Sequence, residues 1–137
     1  MKTYKVTEIF KSIQGEGSLV GTVMTFVRFQ GCNLACNFCD TDFSHGTEMT
    51  VGEILGEIKS DWVCLTGGEP LMQTGQWDDP LMDALYARRH KIALETNGTI
   101  RLSHHGFSHV CMSPKVPAWA HGLPMSSSGW IGKCYRK

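Results

Sequence analysis

Three cysteines, Cys32, Cys36 and Cys39, lie within eight residues in the stretch GCNLACNFCDT. A disulfide uses two thiols, and a closed structural zinc site uses four ligands. Three thiolates on a short loop suit a soft metal centre. Zinc could recruit His45 as a fourth ligand and form an interaction module, whereas an iron–sulfur cluster held by three cysteines would keep one iron open for chemistry. The spacing alone leaves both centres open.

The composition of the chain is that of an ordinary globular protein. Of its 137 residues, 42% are hydrophobic and 19% are charged, and 13 basic residues balance 13 acidic ones. This balance gives no reason to expect a nucleic-acid partner. The first residues lack the apolar core of a secretory signal, and no apolar run approaches the roughly 20 residues of a membrane span. We therefore predict a cytoplasmic protein with no membrane partner, in which clustered thiols stay reduced and either bind metal or do chemistry.

Apolar runs that alternate with helix signals predict an α/β fold with a parallel sheet. The predicted strands are residues 23–29, 62–66, 91–95 and 106–112. One helix is predicted from the capping-box pattern Thr50 to Glu53, and a second from the Asp79-Pro80 pair to about His90. The segment before the first predicted strand reads as a short extended start followed by a glycine-rich loop.

A distinctive polar loop follows each predicted strand. In chain order these loops are GCNLACNFCDT, TGGEP, ETNG and SPK. The carboxyl ends of parallel strands meet at one edge of a sheet or barrel, where active sites of such folds lie. We therefore expect the four loops to form one site.

Two of these loops carry a resemblance to a known superfamily. The CX3CX2C spacing of CNLACNFC resembles that of the radical S-adenosylmethionine (SAM) enzymes, and Gly67-Gly68-Glu69-Pro70 resembles their GGEP motif. The resemblance implies a 4Fe-4S cluster on the three cysteines, with SAM chelating the open iron. It also implies that Glu69 and the nearby backbone receive the methionine ammonium group.

Further blocks are similar to one family within that superfamily, the 7-carboxy-7-deazaguanine synthases. These blocks, spread over about residues 6–117, are SIQGEG, FVR, CDT, LETNGT and SPK. The resemblance implies a partial, shortened (β/α) barrel and a carbon–nitrogen lyase. Its reaction would convert 6-carboxy-5,6,7,8-tetrahydropterin to 7-carboxy-7-deazaguanine with loss of ammonia, in 7-deazapurine and queuosine biosynthesis. A flavodoxin or ferredoxin would act as reductant.

The same resemblance implies roles for individual residues. Thr41 would bind Mg2+ and connect it to the substrate, although Asp40, which also offers hard oxygens, could instead cap a helix. Arg28, a guanidinium at the end of an apolar strand, suits a substrate carboxylate, the alternative being a surface arginine with a buried stem. The SAM-binding positions are Phe38, Asp40, Glu69, Gly98, Ser113, Pro114 and Lys115. The substrate-binding positions are Ile13, Gln14, Gly15, Arg28 and Thr96.

The end of the chain departs from the family pattern. We expect a radical SAM core over residues 1–116, with about four strand–helix units, and an irregular tail over residues 117–137. An uncovered edge strand would favour a homodimer. Other hypotheses are a glycyl-radical-enzyme activase, which would lack the SIQGEG and CDT blocks, and a shortened copy that binds cluster and SAM without turnover.

Overall fold

The computed structural model describes residues 1–36 and 39–115, together with the backbone of residues 133–136. Within these residues, seven strands form one sheet. The strands are β1 (Thr3–Ile13), β2 (Val23–Phe29), β3 (Thr47–Thr50), β4 (Trp62–Gly67), β5 (Lys91–Thr96), β6 (His109–Met112) and β7 (Lys133–Arg136). The helices are α1 (Val51–Glu57) and α2 (Pro80–Ala87), with short 3-10 turns at Gly17–Leu19 and Pro70–Met72.

The centre of the sheet is parallel, which confirms the predicted α/β class. The strand order is β3-β1-β2-β4-β5-β6-β7, and β2, β4, β5 and β6 pair in parallel. The flanking strands β1, β3 and β7 pair antiparallel with their neighbours. The four parallel strands therefore bring their carboxyl ends, and the loops that follow them, to one edge of the sheet.

Both helices begin at the residues that the sequence predicted. The Thr50 hydroxyl accepts the Glu53 amide while the Glu53 carboxylate accepts the Thr50 amide, which completes a capping box. Asp79 caps α2 and is fully buried, where its carboxylate also accepts the Tyr4 hydroxyl at 2.8 Å. Burial and this carboxylate raise the pKa of Tyr4 far above its ordinary value, so the phenol stays a donor. The Asp79 cap thus joins β1 to α2.

The two faces of the sheet are packed differently. Alternate residues of the central strands, such as Val27, Leu65 and Leu94, point to a large core that includes the apolar sides of both helices. The opposite face carries a smaller cluster built on Met24, Phe26, Cys64 and Ala93. Both helices thus cover one face, and the smaller apolar cluster supports the other. Among the described residues no helix has the length and apolar character needed to span a bilayer.

Four strands differ from the prediction by more than one residue. β3 (Thr47–Thr50) was not predicted, and β6 begins at His109 rather than at residue 106. β1 runs for 11 residues because Val6 to Ile13 pair with β2 and Thr3 to Val6 pair with β3, whereas only a short extended start was expected. β7 lies inside the segment 117–137 that was predicted to be irregular, so that prediction is wrong for Lys133–Arg136. The reason is tertiary: these four residues pair antiparallel with β6, and so short a run carries no periodicity of its own. The rest of that segment lies outside the described residues.

Candidate active site

Two adjoining cavities occupy the edge of the sheet where the parallel strands end. The larger cavity, about 480 Å3, is lined from β1, β2 and the loops after β4, β5 and β6. The cysteine cavity, about 400 Å3, is lined by the loop that carries Cys32, Cys36 and Cys39. Six residues line both cavities: Asp40, Thr41, Gly67, Gly68, Asn97 and Lys115. The expectation that the four polar loops meet in one place is therefore confirmed.

The three motif cysteines are free thiols that line the same cavity. Among the described residues, no three His, Cys, Asp or Glu side chains are grouped closely enough to bind a single ion. His45 is exposed and does not line this cavity. A closed zinc site needs a fourth ligand, which His45 does not supply in this arrangement, whereas an iron–sulfur cluster can be held by three thiolates with one iron open. The donor set therefore fits a 4Fe-4S cluster.

Two N–H groups point toward one of these sulfurs. The Leu34 amide lies 3.4 Å from Cys32 Sγ, and Asn97 Nδ2 lies 3.9 Å from it. The Asn97 amide group also donates to Asn33 Oδ1 at 3.0 Å, and Asn33 donates to the Thr99 hydroxyl at 2.7 Å. Hydrogen bonds to cluster sulfurs are one of the ways in which a protein tunes an iron–sulfur centre. The loop after β5 thus holds and polarises the cysteine loop.

The glycines of the GGEP motif allow a close approach of two loops. Gly67 has φ +137°, a backbone conformation that residues with a side chain rarely adopt. Its neighbour Gly68 faces the cysteine loop. A Cβ at Gly68 would overlap the Gly31 carbonyl and lie 2.8 Å from the Cys32 Cβ. The next amide, of Glu69, donates to the Gly31 carbonyl at 2.9 Å. The motif therefore positions the first cluster cysteine through backbone contact.

Glu69 is fully buried and lines neither of the two cavities. Its carboxylate accepts the Asn97 amide at 2.8 Å and the Leu71 amide at 3.0 Å. The Thr96 hydroxyl lies 2.9 Å from both carboxylate oxygens. In this arrangement Glu69 ties the loop after β4 to the loop after β5. The SAM contact that the resemblance implies for Glu69 stays a prediction.

Replacing Glu69 with glutamine should destabilise the fold by about 1–3 kcal/mol, because an amide NH2 would face an N–H donor in a buried site. The midpoint of urea unfolding should fall accordingly, with an unchanged slope. Glu57→Gln, at an exposed position of α1, is the matched control and should stay within about 0.5 kcal/mol of the parent. Equal midpoints for the two variants would show that the buried carboxylate does not hold the loops.

All five residues predicted to bind substrate line the larger cavity: Ile13, Gln14, Gly15, Arg28 and Thr96. Arg28 is largely buried, and its Nε donates to Glu8 Oε1 at 2.7 Å while its guanidinium lies 5.6 Å from the centre of the Phe10 ring. These contacts orient the guanidinium and leave its terminal N–H groups available to a ligand. The buried Gln14 donates to Glu95 Oε1 at 2.9 Å.

Of the remaining predicted residues, some line the two cavities and others do not. Asp40 and Thr41 lie where the two cavities meet, and Lys115, which also lines both, donates to the Ser113 hydroxyl at 2.8 Å. Gly98 adopts φ +79° and packs against Met112. Pro114 lines neither cavity. Phe38 lies outside the described residues.

The sequence analysis assigned no individual role to several polar residues in the motifs that it placed at the site, namely Asn33, Thr66, Glu95, Asn97 and Thr99. Each follows or ends a parallel strand, and Glu95 is a charged residue inside an apolar run, which is a signal that could have identified it. Cys111 lines the larger cavity and is partly exposed. Cys64 is buried, and burial raises the pKa of its thiol well above the ordinary value.

A sequence profile of the radical SAM superfamily matches residues 26–117, which is about two thirds of the chain and contains both motifs of the site. The chain belongs to the radical SAM superfamily. Membership implies a 4Fe-4S cluster and SAM as cofactors, in agreement with the three thiols of the cysteine cavity. The cluster ligands in this member would be Cys32, Cys36 and Cys39.

Individual relatives within the superfamily share one name. The chain is 43% identical to a 7-carboxy-7-deazaguanine synthase of Bradyrhizobium diazoefficiens, over 82% of this chain and 64% of that protein. It is 46% identical to the synthase of Bacteroides thetaiotaomicron, over 81% of this chain and 60% of that protein. The crystal structure of QueE from Escherichia coli resembles it with a TM-score of 0.74 and 26% identity, over 83% of this chain and 60% of that one. The chain thus spans less than two thirds of the length of these relatives.

Proposed function

We propose that this radical SAM protein acts as a 7-carboxy-7-deazaguanine synthase. The reaction converts 6-carboxy-5,6,7,8-tetrahydropterin to 7-carboxy-7-deazaguanine with loss of ammonia, a carbon–nitrogen lyase step in 7-deazapurine and queuosine biosynthesis. The observation that supports the proposal best is the set of six residues shared by the two cavities. A ligand held by Arg28 and Gln14 would lie directly beside the cysteines.

The residues of the chain have separate tasks in this proposal. The cluster and SAM, when bound, would supply the radical chemistry that removes a hydrogen atom from the substrate carbon bearing the carboxylate. Lys115, which lines both cavities, would contact SAM together with Ser113 of the larger cavity and with Gly98. The terminal N–H groups of Arg28 would bind the substrate carboxylate, with Glu8 fixing the orientation of the guanidinium. Thr96, whose hydroxyl is hydrogen-bonded to Glu69, would also contact the substrate.

We further propose that Thr41 binds Mg2+ where the two cavities meet. Its hydroxyl lies 3.3 Å from Asp40 Oδ1, so two hard oxygens stand together at the junction. Replacing Thr41 with alanine should remove the Mg2+ stimulation of product formation while leaving the iron content unchanged. The measurement is a Mg2+ titration of product formation, with Thr47→Ala on the exposed edge strand β3 as control. A variant that keeps full Mg2+ stimulation would contradict this role.

The proposal also covers the electron donor, the cellular location and the oligomeric state of the protein. A flavodoxin or ferredoxin would reduce the cluster, and the protein would act in the cytoplasm as a homodimer. Among the described strands the sheet ends at β3 on one side and at β7, which covers β6, on the other, so these are the edge strands that would be available for pairing between copies.

The deciding experiment is anaerobic incubation of the reconstituted protein with SAM, a reductant, Mg2+ and 6-carboxytetrahydropterin, followed by mass spectrometry. Formation of 5′-deoxyadenosine together with 7-carboxy-7-deazaguanine is expected. SAM cleavage without the deazaguanine product would refute the synthase activity and leave a protein that binds cluster and SAM alone. Stoichiometric zinc in place of iron and sulfide would refute the radical enzyme altogether.

A further inference from the structure

A row of polar side chains crosses the sheet beneath the larger cavity. Glu8 pairs with Arg28 in register, and Arg28 pairs with Thr66. The next residues along β4 and β5 place Thr66 beside Glu95, because Leu65 pairs with Leu94. Neighbouring strands lie about 4.8 Å apart, so the backbones of Arg28 and Glu95, two strands apart, are separated by about 10 Å. The cavity therefore has a cationic group on one strand and an anionic group two strands away.

The Glu95 carboxylate is held in place by two neighbours. Gln14 Nε2 donates to one oxygen at 2.9 Å, and the Thr66 hydroxyl donates to the other at 2.7 Å. Gln14 is itself fixed, since its Oε1 accepts the Glu16 amide at 3.2 Å. The buried Cys64 thiol also interacts with this carboxylate. A carboxylate offers about four acceptor sites, so these neighbours orient it and leave acceptor sites for a ligand.

Within the described part of the chain, no basic side chain forms an ion pair with Glu95. Arg28 is engaged by Glu8, and Lys115 by Ser113. Glu95 is only partly exposed, and a carboxylate removed from water requires donors to offset the loss of hydration. Gln14 and Thr66 supply donors, and the carboxylate lines the cavity where a ligand would supply further ones.

We infer that Glu95 binds the amino-pyrimidinone edge of the substrate. Such an edge presents two adjacent, parallel N–H donors, and this pair matches the two oxygens of a carboxylate as a guanidinium does. The inference rests on the proposed function in one respect: a carboxypterin carries this edge at one end and a carboxylate, for Arg28, at the other. Glu95 is then a specificity residue that selects a 2-amino ring over a 2-oxo ring, because a ring carbonyl would face the carboxylate.

Binding of two oxidised analogues tests this role without turnover. The probes are pterin-6-carboxylic acid and lumazine-6-carboxylic acid, which carries a 2-oxo group in place of the 2-amino group. Each is titrated by its fluorescence into the full chain with reconstituted cluster under anaerobic conditions. The parent protein should prefer the pterin, and Glu95→Gln should weaken pterin binding about tenfold or more while changing lumazine binding little. Glu95→Asp should retain part of the preference, and Glu57→Gln should retain all of it.

The outcomes separate this inference from the proposed function. Equal preference for the pterin in the parent and in Glu95→Gln, with both folded by circular dichroism, would overturn the role of Glu95 and leave the synthase proposal standing. A preference that depends on Glu95, together with no conversion of 6-carboxytetrahydropterin, would overturn the synthase proposal and support the role of Glu95. A parent protein that binds neither analogue, or both equally, would overturn the role of Glu95.

Discussion

Replacement of Cys36 by alanine is expected to abolish the intact cluster and all SAM cleavage. Each of the three thiols that line the cysteine cavity would hold one iron, and two thiolates cannot keep a cuboidal cluster with a single open iron. The loss should be complete, because the chemistry that the cofactors supply depends on the cluster. Iron and sulfide analysis after anaerobic reconstitution, together with chromatography for 5′-deoxyadenosine, measures both effects.

The matched control for this variant is Cys64→Ala. Cys64 is fully buried in the sheet, and the raised pKa of its thiol makes it a poor metal ligand. We expect Cys64→Ala to retain four irons and SAM cleavage, with a stability loss of at most about 1 kcal/mol from the vacated space. A Cys36→Ala protein with full iron content and SAM cleavage would show that the cysteine cavity does not hold the cluster.

Replacement of Gly68 by alanine is expected to lower both the stability of the fold and the occupancy of the cluster. The added Cβ would overlap the Gly31 carbonyl and press on the Cys32 side chain, and both loops are tied by the hydrogen bond from the Glu69 amide. Relief requires the backbone to move, which should cost about 1–3 kcal/mol, as overpacking of a tight site does. Because the displaced residue precedes a cluster ligand, we expect cluster occupancy to fall as well. Urea unfolding and iron analysis measure the two effects separately.

Gly56→Ala is the matched control for Gly68→Ala, and we expect it to raise stability rather than lower it. Gly56 lies in α1, and a Cβ there meets nothing within 4 Å. The substitution should therefore stabilise the protein by about 0.5–1 kcal/mol through helix propensity and the reduced entropy of the unfolded chain. If Gly68→Ala were as stable as Gly56→Ala and bound as much iron, the close approach of the two loops would not be required.

Features encoded over short stretches could be predicted from the sequence. The capping box at Thr50 and the Asp79-Pro80 pair predicted where both helices begin, because caps act within one turn of the chain. Apolar runs predicted the parallel strands, because buried strands carry few polar residues. The motif cysteines and glycines predicted the superfamily, since their types and spacing follow from cluster and loop chemistry.

Pairings between distant segments could not be predicted in the same way. β1 extends to Ile13 through its partner β2, and Lys133–Arg136 becomes a strand through β6. Neither strand has a local pattern strong enough to specify it, because strand formation depends on the neighbour that supplies the hydrogen bonds. The inward position of Glu69 has a similar origin, because it depends on the Asn97 amide and the Thr96 hydroxyl, which lie 28 and 27 residues further along the chain.

Residues capable of chemistry could be identified from thiolate spacing and glycine motifs, because these are properties of short stretches. The way in which those residues are combined depends on the fold. The register of β2, β4 and β5 places Arg28, Thr66 and Glu95 in one row, and the loops after these strands join the two cavities. The physical reason is that register across a sheet is set by the packing of both faces and by the paired backbones together.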